Sequence, residues 1–252
     1  MVKQQPYDDL LAQLDNSCLP QHIGVIMDGN GRWAANVGQQ RTFGHKAGAE
    51  ALRRAVEICR EIHIPVLTVF AFSTENWRRP EKEVDFLMRL LIQYLRQELP
   101  LLQEQQIRLN GLGDWSILPV SIRKLYAKAK EATAANAQMT LNLAVNYGAR
   151  QEITHAAQQL ASAAQAGDLL PLEINEDVFA AQLYTAGQPE LDLLIRPAGE
   201  RRLSNFLLWQ AAYAELYFTP QLWPEFSKRD MLTAILDYQG RERRFGKIDA
   251  RG

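Results

Sequence analysis

Six short apolar, β-branched runs, near 23–27, 66–72, 107–112, 139–146, 191–196 and 214–218, alternate with longer helix-like stretches near 45–62, 83–99, 119–135, 149–165, 175–186 and 227–240. This alternation constrains the fold more than any other feature, because parallel strands need crossover connections and helices supply them. The expected fold class is α/β: a central, mostly parallel six-stranded sheet flanked by helices. A chain of 252 residues can bury one large core, and no repeat or Pro/Gly/Ser linker breaks the series. Residues 1–20 stand outside the alternation and read as an N-terminal arm, which leaves 21–252 as a single domain.

Charge narrows the function classes. With 28 basic and 29 acidic side chains the formal net charge is -1, so no global field favours nucleic acid, and any anion site has to be local. Cys18 and Cys59 are too few for a disulfide framework and sit in no metal-ligand spacing, which points to a reducing compartment without structural zinc. The longest strongly apolar segment, "IPVLTVFAF" at 64–72, is far short of the roughly 20 residues of a spanning helix. The start, "MVKQQPYDDLLAQL", has acidic residues where an export signal carries its apolar core, so the cytoplasm is the expected location.

Ligands of open α/β sheets bind outside the carboxyl ends of the strands. The polar clusters fall there: "DGNGR" after the first strand, "STENWRR" after the second, "NYGAR" after the fourth and "RPAGERR" after the fifth. Gly29 and Gly31 can adopt positive φ, so their N–H groups can converge on an anion, and a helix after Arg32 would aim its dipole at the same point. Asp28 would repel a phosphate unless a divalent cation lay between them, and Mg²⁺ commonly binds through one or two carboxylates plus substrate phosphates. The alternative is that Asp28 caps a helix and the glycines only turn the chain.

Arg41 and His45 lie where a cation serves a helix poorly but a phosphate well. Ser73, Asn76, Arg78 and Arg79 precede Pro80, with Glu81 and Glu83 suited to a first helical turn. Arg196, Arg202 and Ser204 gather at a second strand end, and two Arg-rich pockets suggest two polyanionic substrates. The segment 83–99 shows one narrow polar stripe (Asp85, Arg89, Gln93, Arg96, Gln97) on an otherwise apolar surface, so it is either a central core helix or the wall of a hydrophobic tunnel.

Together, "IMDGNGRWA" (26–34), "R..GHKAG" (41–48), "FAFSTENWRRP..EV" (70–84), "NYG.R" (146–150), "LLIRPAGERRLSNFLLWQ..YAELYF" (193–218) and "RERRFG" (241–246) resemble the cis-prenyltransferase family, most closely the bacterial undecaprenyl diphosphate synthases. The resemblance spans some nine tenths of the chain in family order. It implies a homodimer with a tunnelled parallel sheet and Mg²⁺ as cofactor. The implied reaction adds isopentenyl diphosphate units, each with a cis double bond, to an allylic starter such as farnesyl diphosphate. The implied product is a long polyprenyl diphosphate, undecaprenyl diphosphate, for a cell-wall lipid carrier, released through transient membrane contact. By the same resemblance, Asp28 with Mg²⁺ assists departure of the allylic diphosphate, which Gly29, Asn30, Gly31, Arg32, Arg41 and His45 hold. Arg196, Arg202 and Ser204 match the isopentenyl diphosphate site, and Glu215 reaches the metal. Ser73, Asn76, Trp77, Arg79 and Glu83 match a mobile loop and helix start that position substrates; Trp33 and Glu75 join the substrate-binding set, and Asn76 joins Asp28 as catalytic.

The chain departs from the pattern at Pro197, Ala198 and Arg201, at Ala149, where a second glycine is usual, and at Met139, where Leu is common near the tunnel floor. Two other readings compete. A haloacid-dehalogenase-like phosphatase needs a carboxylate two residues after the first, where this chain has Asn30, and a non-catalytic lipid-binding subunit tends to lose the acid and cations that "DGNGR" retains.

Overall fold

The computed structural model describes residues 6–241; the first five residues of the N-terminal arm, and all of "RERRFG" except Arg241, lie outside the described residues. Six strands form one sheet: β1 His22–Val25, β2 Val66–Ser73, β3 Ile107–Leu112, β4 Met139–Tyr147, β5 Leu193–Arg196 and β6 Glu215–Phe218. Their spatial order is β3-β4-β2-β1-β5-β6, and every neighbouring pair is parallel. All carboxyl ends therefore emerge on one edge of the sheet, which brings the polar loops together.

The helices are α1 Tyr7–Ala12, α2 Asn30–Asn36, α3 Arg41–Glu61, α4 Glu81–Glu104, α5 Val120–Ala132, α6 Ala149–Ala166, α7 Glu176–Ala180 and α8 Lys228–Gln239. Met139, Leu141, Leu143 and Val145 alternate along β4 onto the face covered by α3 and α4, while Ala144 joins Phe206 and Leu112 in a second cluster. Among the described residues no helix is long and apolar enough to cross a membrane. The arm docks against α8 and the end of α3: Gln239 of α8 donates to the carbonyls of Asp15 and Cys18, and Tyr7 donates its hydroxyl to Glu61 of α3 at 2.8 Å.

Two elements differ from the periodicity. The expected helix at 175–186 stops at Ala180, because the Tyr184 N–H donates to Glu152 at 2.8 Å and Gln210 donates to Thr185, which commits that segment to tertiary partners. In α4 the helix runs through Pro100 to Glu104, where the Leu102 carbonyl accepts from Asn136 at 3.0 Å. On the sheet face opposite α4, Asn110 donates to Asn142, Asn142 donates to Thr68, and His22 Nε2 meets Thr68 at 2.6 Å. This chain of bonds ties four adjacent strands, and burial pushes the His22 imidazole down to about 4.

Candidate active site

From β1 the chain moves to β2 on one side, and from β5 it moves to β6 on the other, yet β1 and β5 are neighbours. Their carboxyl ends form the switch point, where an α/β sheet leaves a crevice. Asp28 follows β1 and Arg196 ends β5, and they meet there: Arg196 Nη2 donates to Asp28 Oδ2 at 2.9 Å. Arg196 is only 3% exposed, and its other terminal nitrogen donates to the Arg202 carbonyl and to Ser204 Oγ at 2.6 Å. Asp28 Oδ1 accepts the Gly29 N–H at 2.7 Å, and the Trp223 N–H donates to the Asp28 carbonyl. The residue that caps α2 is Gly29, with no side-chain bond, so Asp28 is not the helix cap.

Asp28 stands on the wall between two polar clefts. One, of about 340 Å³, is lined by Gly29, Asn30, Gly31, Arg32, Arg41 and His45. The other, of about 510 Å³, is lined by Ser73, Glu75, Asn76, Ser204 and Asn205. Met27, Asp28 and Arg79 belong to both. Behind the first cleft, at Asn30 and His45, begins an apolar cavity of about 100 Å³ between α3, α4 and the sheet. Four of the half-buried residues of α4, Leu87, Leu90, Leu91 and Tyr94, line this cavity, so part of its broad apolar surface borders a void as well as the core.

Glu83, in the first turn of α4, gathers the basic side chains of the first cleft. Its Oε1 is 2.9 Å from Arg41 Nε, 2.9 Å from Arg79 Nη1 and 3.3 Å from His45 Nε2. Burial alone would raise the Glu83 carboxyl, but Arg41, Arg79 and the His45 bond hold it below the usual range. Burial in turn lowers the His45 imidazole, more than the Glu83 bond raises it.

Gly29 has φ +96, and a Cβ there would meet Leu222 at 2.9 Å and Ala198 at 3.0 Å, so glycine is required. The helix expected after Arg32 begins at Asn30 instead and is seven residues long. Ser73 and Asn76 close a turn on each other, the Ser73 N–H donating to Asn76 Oδ1 at 3.2 Å.

Several expected residues are turned elsewhere. Trp33 donates to Glu225 at 3.0 Å and stacks on Phe43, Trp77 donates to Asn146 at 2.8 Å and packs on Phe72, and neither lines a cleft. The Arg202 side chain pairs with Glu200 at the surface, so its carbonyl, and not its guanidinium, faces Arg196. Glu215 begins β6 level with Leu193, whereas Arg196 is level with Phe218, and its carboxylate accepts from Arg241 at 2.7 Å; within the chain the fold does not bring it to Asp28.

The departures have structural outcomes. Ala149 starts α6, buried, with its N–H on the Asn205 carbonyl. Ala198 takes φ +74, a left-handed conformation costing an alanine about 1–2 kcal/mol. Met139 is core at the amino end of β4.

Four contributors escaped the sequence reading. Met27 lines both clefts and the cavity, but nothing distinguishes it in sequence from a core methionine. Asn205, at φ +62, links Glu75, Gln151 and the Arg150 N–H. Gly44 and Gly48, one turn apart in α3, admit Asn30: a Cβ on Gly44 would lie 2.0 Å from the Asn30 carbonyl oxygen, and one on Gly48 2.4 Å from Asn30 Oδ1. Two glycines inside a helix, each costing ~1 kcal/mol against alanine, were the available signal.

As for a metal, no group of three or more His, Cys, Asp or Glu that could hold one exists among the described residues. A single carboxylate between two anion-sized clefts fits Mg²⁺, which takes one or two carboxylates and completes its shell with water and phosphate oxygen.

Residues 26–246 match the family model described as "Putative undecaprenyl diphosphate synthase". An "Isoprenyl transferase" of Heliobacterium mobile is 50% identical over 239 residues, covering 95% of this chain and 92% of the relative. A "Ditrans,polycis-undecaprenyl-diphosphate synthase ((2E,6E)-farnesyl-diphosphate specific)" of Vibrio vulnificus is 48% identical over 235 residues, covering 93% and 94%. Among solved structures, lavandulyl diphosphate synthase from Lavandula x intermedia in complex with dimethylallyl diphosphate superposes with TM-score 0.89 at 39% identity, covering 92% of this chain and 100% of that one. A "probable undecaprenyl diphosphate synthase" from Campylobacter jejuni gives 0.75 at 36% identity, covering 90% and 99%.

Proposed function

Since the chain belongs to the undecaprenyl diphosphate synthase family and is a prenyl transferase, we propose that it condenses isopentenyl diphosphate with farnesyl diphosphate to make undecaprenyl diphosphate. The observation that carries this reading is the shared wall at Asp28: two polar clefts meet there, and an apolar cavity shares Met27, Asn30 and His45 with one of them.

The allylic diphosphate takes the first cleft, against the N–H groups of the 29–32 turn, the Arg32 and Arg41 guanidinium groups and the His45 imidazole, with its tail in the cavity beneath α4. Isopentenyl diphosphate takes the second cleft, bound by Ser204 and the 73–76 turn, with Arg196 behind Asp28. Arg79, lining both, can reach either diphosphate. In the reaction the bond from the allylic carbon to its diphosphate oxygen breaks, the double bond of isopentenyl diphosphate forms the new carbon–carbon bond, and a proton leaves. Donors and cations aimed at the leaving diphosphate act on charge that grows in the transition state. Asp28 holds Mg²⁺, which supplies further neutralisation of the departing charge when bound. Apolar walls keep water from the developing allylic cation. Glu215, paired with Arg241, is not assigned to the metal.

We further assign a homodimer formed through the β6 edge, since an edge strand invites pairing and Trp209 and Tyr213 are 36% and 74% exposed beside it. A cytoplasmic location with transient membrane contact for product release completes the reading.

The test incubates the protein with farnesyl diphosphate, labelled isopentenyl diphosphate and Mg²⁺. Label in a long-chain, extractable product that disappears on chelation is expected; folded protein that transfers no label into lipid overturns the proposal.

A further inference from the structure

Gly148, just before α6, has extended backbone open to any residue, yet a Cβ there would lie 2.6 Å from Asn205 Nδ2 and 2.9 Å from Thr74 Oγ1. Glycine is needed at this position because two remote segments pass close over it. The first N–H groups of a helix have no partners within it, and Gly148 brings no side chain to cap them. Asn205 caps them from afar: its carbonyl accepts the Ala149 N–H at 2.8 Å, and its Oδ1 accepts the Arg150 N–H at 2.8 Å. These partners fix the orientation of the amide, so Nδ2 donates to Glu75 Oε1 at 3.0 Å and to Gln151 Oε1 at 3.1 Å.

Both amide hydrogens of Asn205 are thus committed, and although the residue lines the second cleft it has no side-chain N–H left for a diphosphate. Its importance lies in what it connects. Ser204, its neighbour, lines one wall of that cleft and accepts from Arg196 at 2.6 Å. Glu75 belongs to the short turn Thr74–Arg78, which with Ser73 forms the opposite wall. Ser204 and Asn205 both take left-handed backbone, φ +50 and +62, a conformation that suits asparagine better than serine. The Ser204 hydroxyl therefore depends on contacts that hold the residues after it. Phe206, fully buried and stacked on Phe70 at 4.6 Å, ties the segment to the sheet, and the Asn205–Glu75 bond ties it to the facing turn.

We propose that Asn205 is a positioning residue for isopentenyl diphosphate: by capping α6 and donating to Glu75 it fixes the spacing between Ser204 and the 73–76 turn, the two walls that bind this substrate. This rests on the prenyl-transfer reading above. Asn205→Asp separates the cap from the tie. A carboxylate still accepts the Arg150 N–H, its charge suits a helix start, and Gln151 can turn its own amide to donate. Toward Glu75, however, it sets one carboxylate against another.

The test measures Tm and the steady-state KM for each substrate, using the full chain with farnesyl diphosphate, labelled isopentenyl diphosphate and Mg²⁺. In Asn205→Asp the cap survives, so Tm should stay within about 2 °C of wild type. The KM for isopentenyl diphosphate should rise about 10-fold, and that for farnesyl diphosphate should change by less than about twofold. Adding Glu75→Gln restores the bond with donor and acceptor exchanged and should recover about threefold or more of the lost KM. Adding Glu75→Ala instead gives the same net charge with no donor and should not recover it. Where Asn205→Asp fails to fold, Asn205→Gly, which keeps the left-handed backbone and the carbonyl cap, takes its place with the same expected split between the two KM values. An unchanged KM for isopentenyl diphosphate, equal rises for both substrates, or equal recovery by Glu75→Gln and Glu75→Ala overturns the assignment. A wild-type protein that elongates normally while these variants do not respond defeats only this inference; a wild-type protein that transfers no label defeats the prenyl-transfer reading and this one with it.

Discussion

Asp28→Asn separates the two roles open to the carboxylate: counter-ion of Arg196, or participant in the departure of the allylic diphosphate. The side chain now uses both oxygens, Oδ1 for the Gly29 N–H at 2.7 Å and Oδ2 for Arg196 at 2.9 Å. An amide offers one oxygen, so one bond is lost and the other loses its negative partner. A hydrogen bond to a charged group contributes about 1.5–3 kcal/mol; with Asp28 about a third exposed, screening reduces this to about 1–2 kcal/mol. At about 2–4 °C per kcal/mol for a chain of this size, Tm should fall by roughly 2–8 °C. Turnover should fall much further, roughly 10²–10³-fold, as expected when a group acting on transition-state charge is removed. Steady-state incorporation of labelled isopentenyl diphosphate and a thermal melt give the two readings. A variant whose Tm drops as worked but whose kcat stays within threefold of the parent would refute the catalytic role and leave Asp28 as a counter-ion.

Glu83→Gln removes the resident anion from Arg41, His45 and Arg79, so inorganic pyrophosphate should bind about 5-fold more tightly by calorimetry, near 1 kcal/mol, while the fold loses about 1–2 kcal/mol; unchanged or weaker pyrophosphate binding would mean that Glu83 does not compete for these cations. Gly44→Ala places a methyl 2.0 Å from the Asn30 carbonyl oxygen, and the overpacking, about 1–3 kcal/mol, should outweigh the ~1 kcal/mol helix gain; a raised Tm contradicts the α2–α3 packing. His22 is depressed by burial from 6.5 to about 4, so below pH 6.5 the unfolded chain takes up a proton that the folded chain refuses, and stability drains as pH falls toward 4. At ~1.4 kcal/mol per pH unit the loss is about 3 kcal/mol, with His45 adding in the same direction. Denaturant midpoints between pH 7 and 4 measure it, and a slope identical in His22→Gln rejects His22 as its source.

Strands were legible because their cue is local: each expected run lies within about two residues of an observed strand, since apolar content and length alone decide whether a short segment is buried in a parallel sheet. Asp28 and Arg196 were legible for a topological reason, as residues at strand carboxyl ends must converge once the sheet is parallel. What was not legible depends on partners remote in sequence. Nothing near Trp33 announces that Glu225 will accept its indole N–H, and nothing near Glu215 announces Arg241. The helix expected across 175–186 has suitable local content, but Glu152 takes the Tyr184 N–H. Side-chain direction, unlike strand position, is set by the whole packing.

One regularity links the residues of the site. Basic side chains expected to meet a diphosphate already hold carboxylates: Arg196 holds Asp28, Arg41 and Arg79 with His45 share Glu83, and Arg32 stands 3.7 Å from both Asp28 and Glu200. A cluster of bare cations around a cleft would repel itself and cost stability, most severely at Arg196, which is almost fully buried. Internal pairing lets the site fold without a ligand, but a diphosphate then binds by exchange, and each carboxylate it displaces lowers its net gain. Glu83 is the displaceable partner with consequences for shape, because it sits in the first turn of α4, the helix that also walls the apolar cavity. Freeing its contacts to Arg41 and His45 removes ties between α3 and α4 at the rim of a void too small for a polyprenyl tail. Occupation of the first cleft and widening of the cavity are thereby linked through one side chain, and the same Glu83→Gln substitution that tightens pyrophosphate should loosen α4, visible as faster amide hydrogen exchange over its first turns without ligand. Exchange unchanged there, with pyrophosphate binding tightened, would show the two events to be independent.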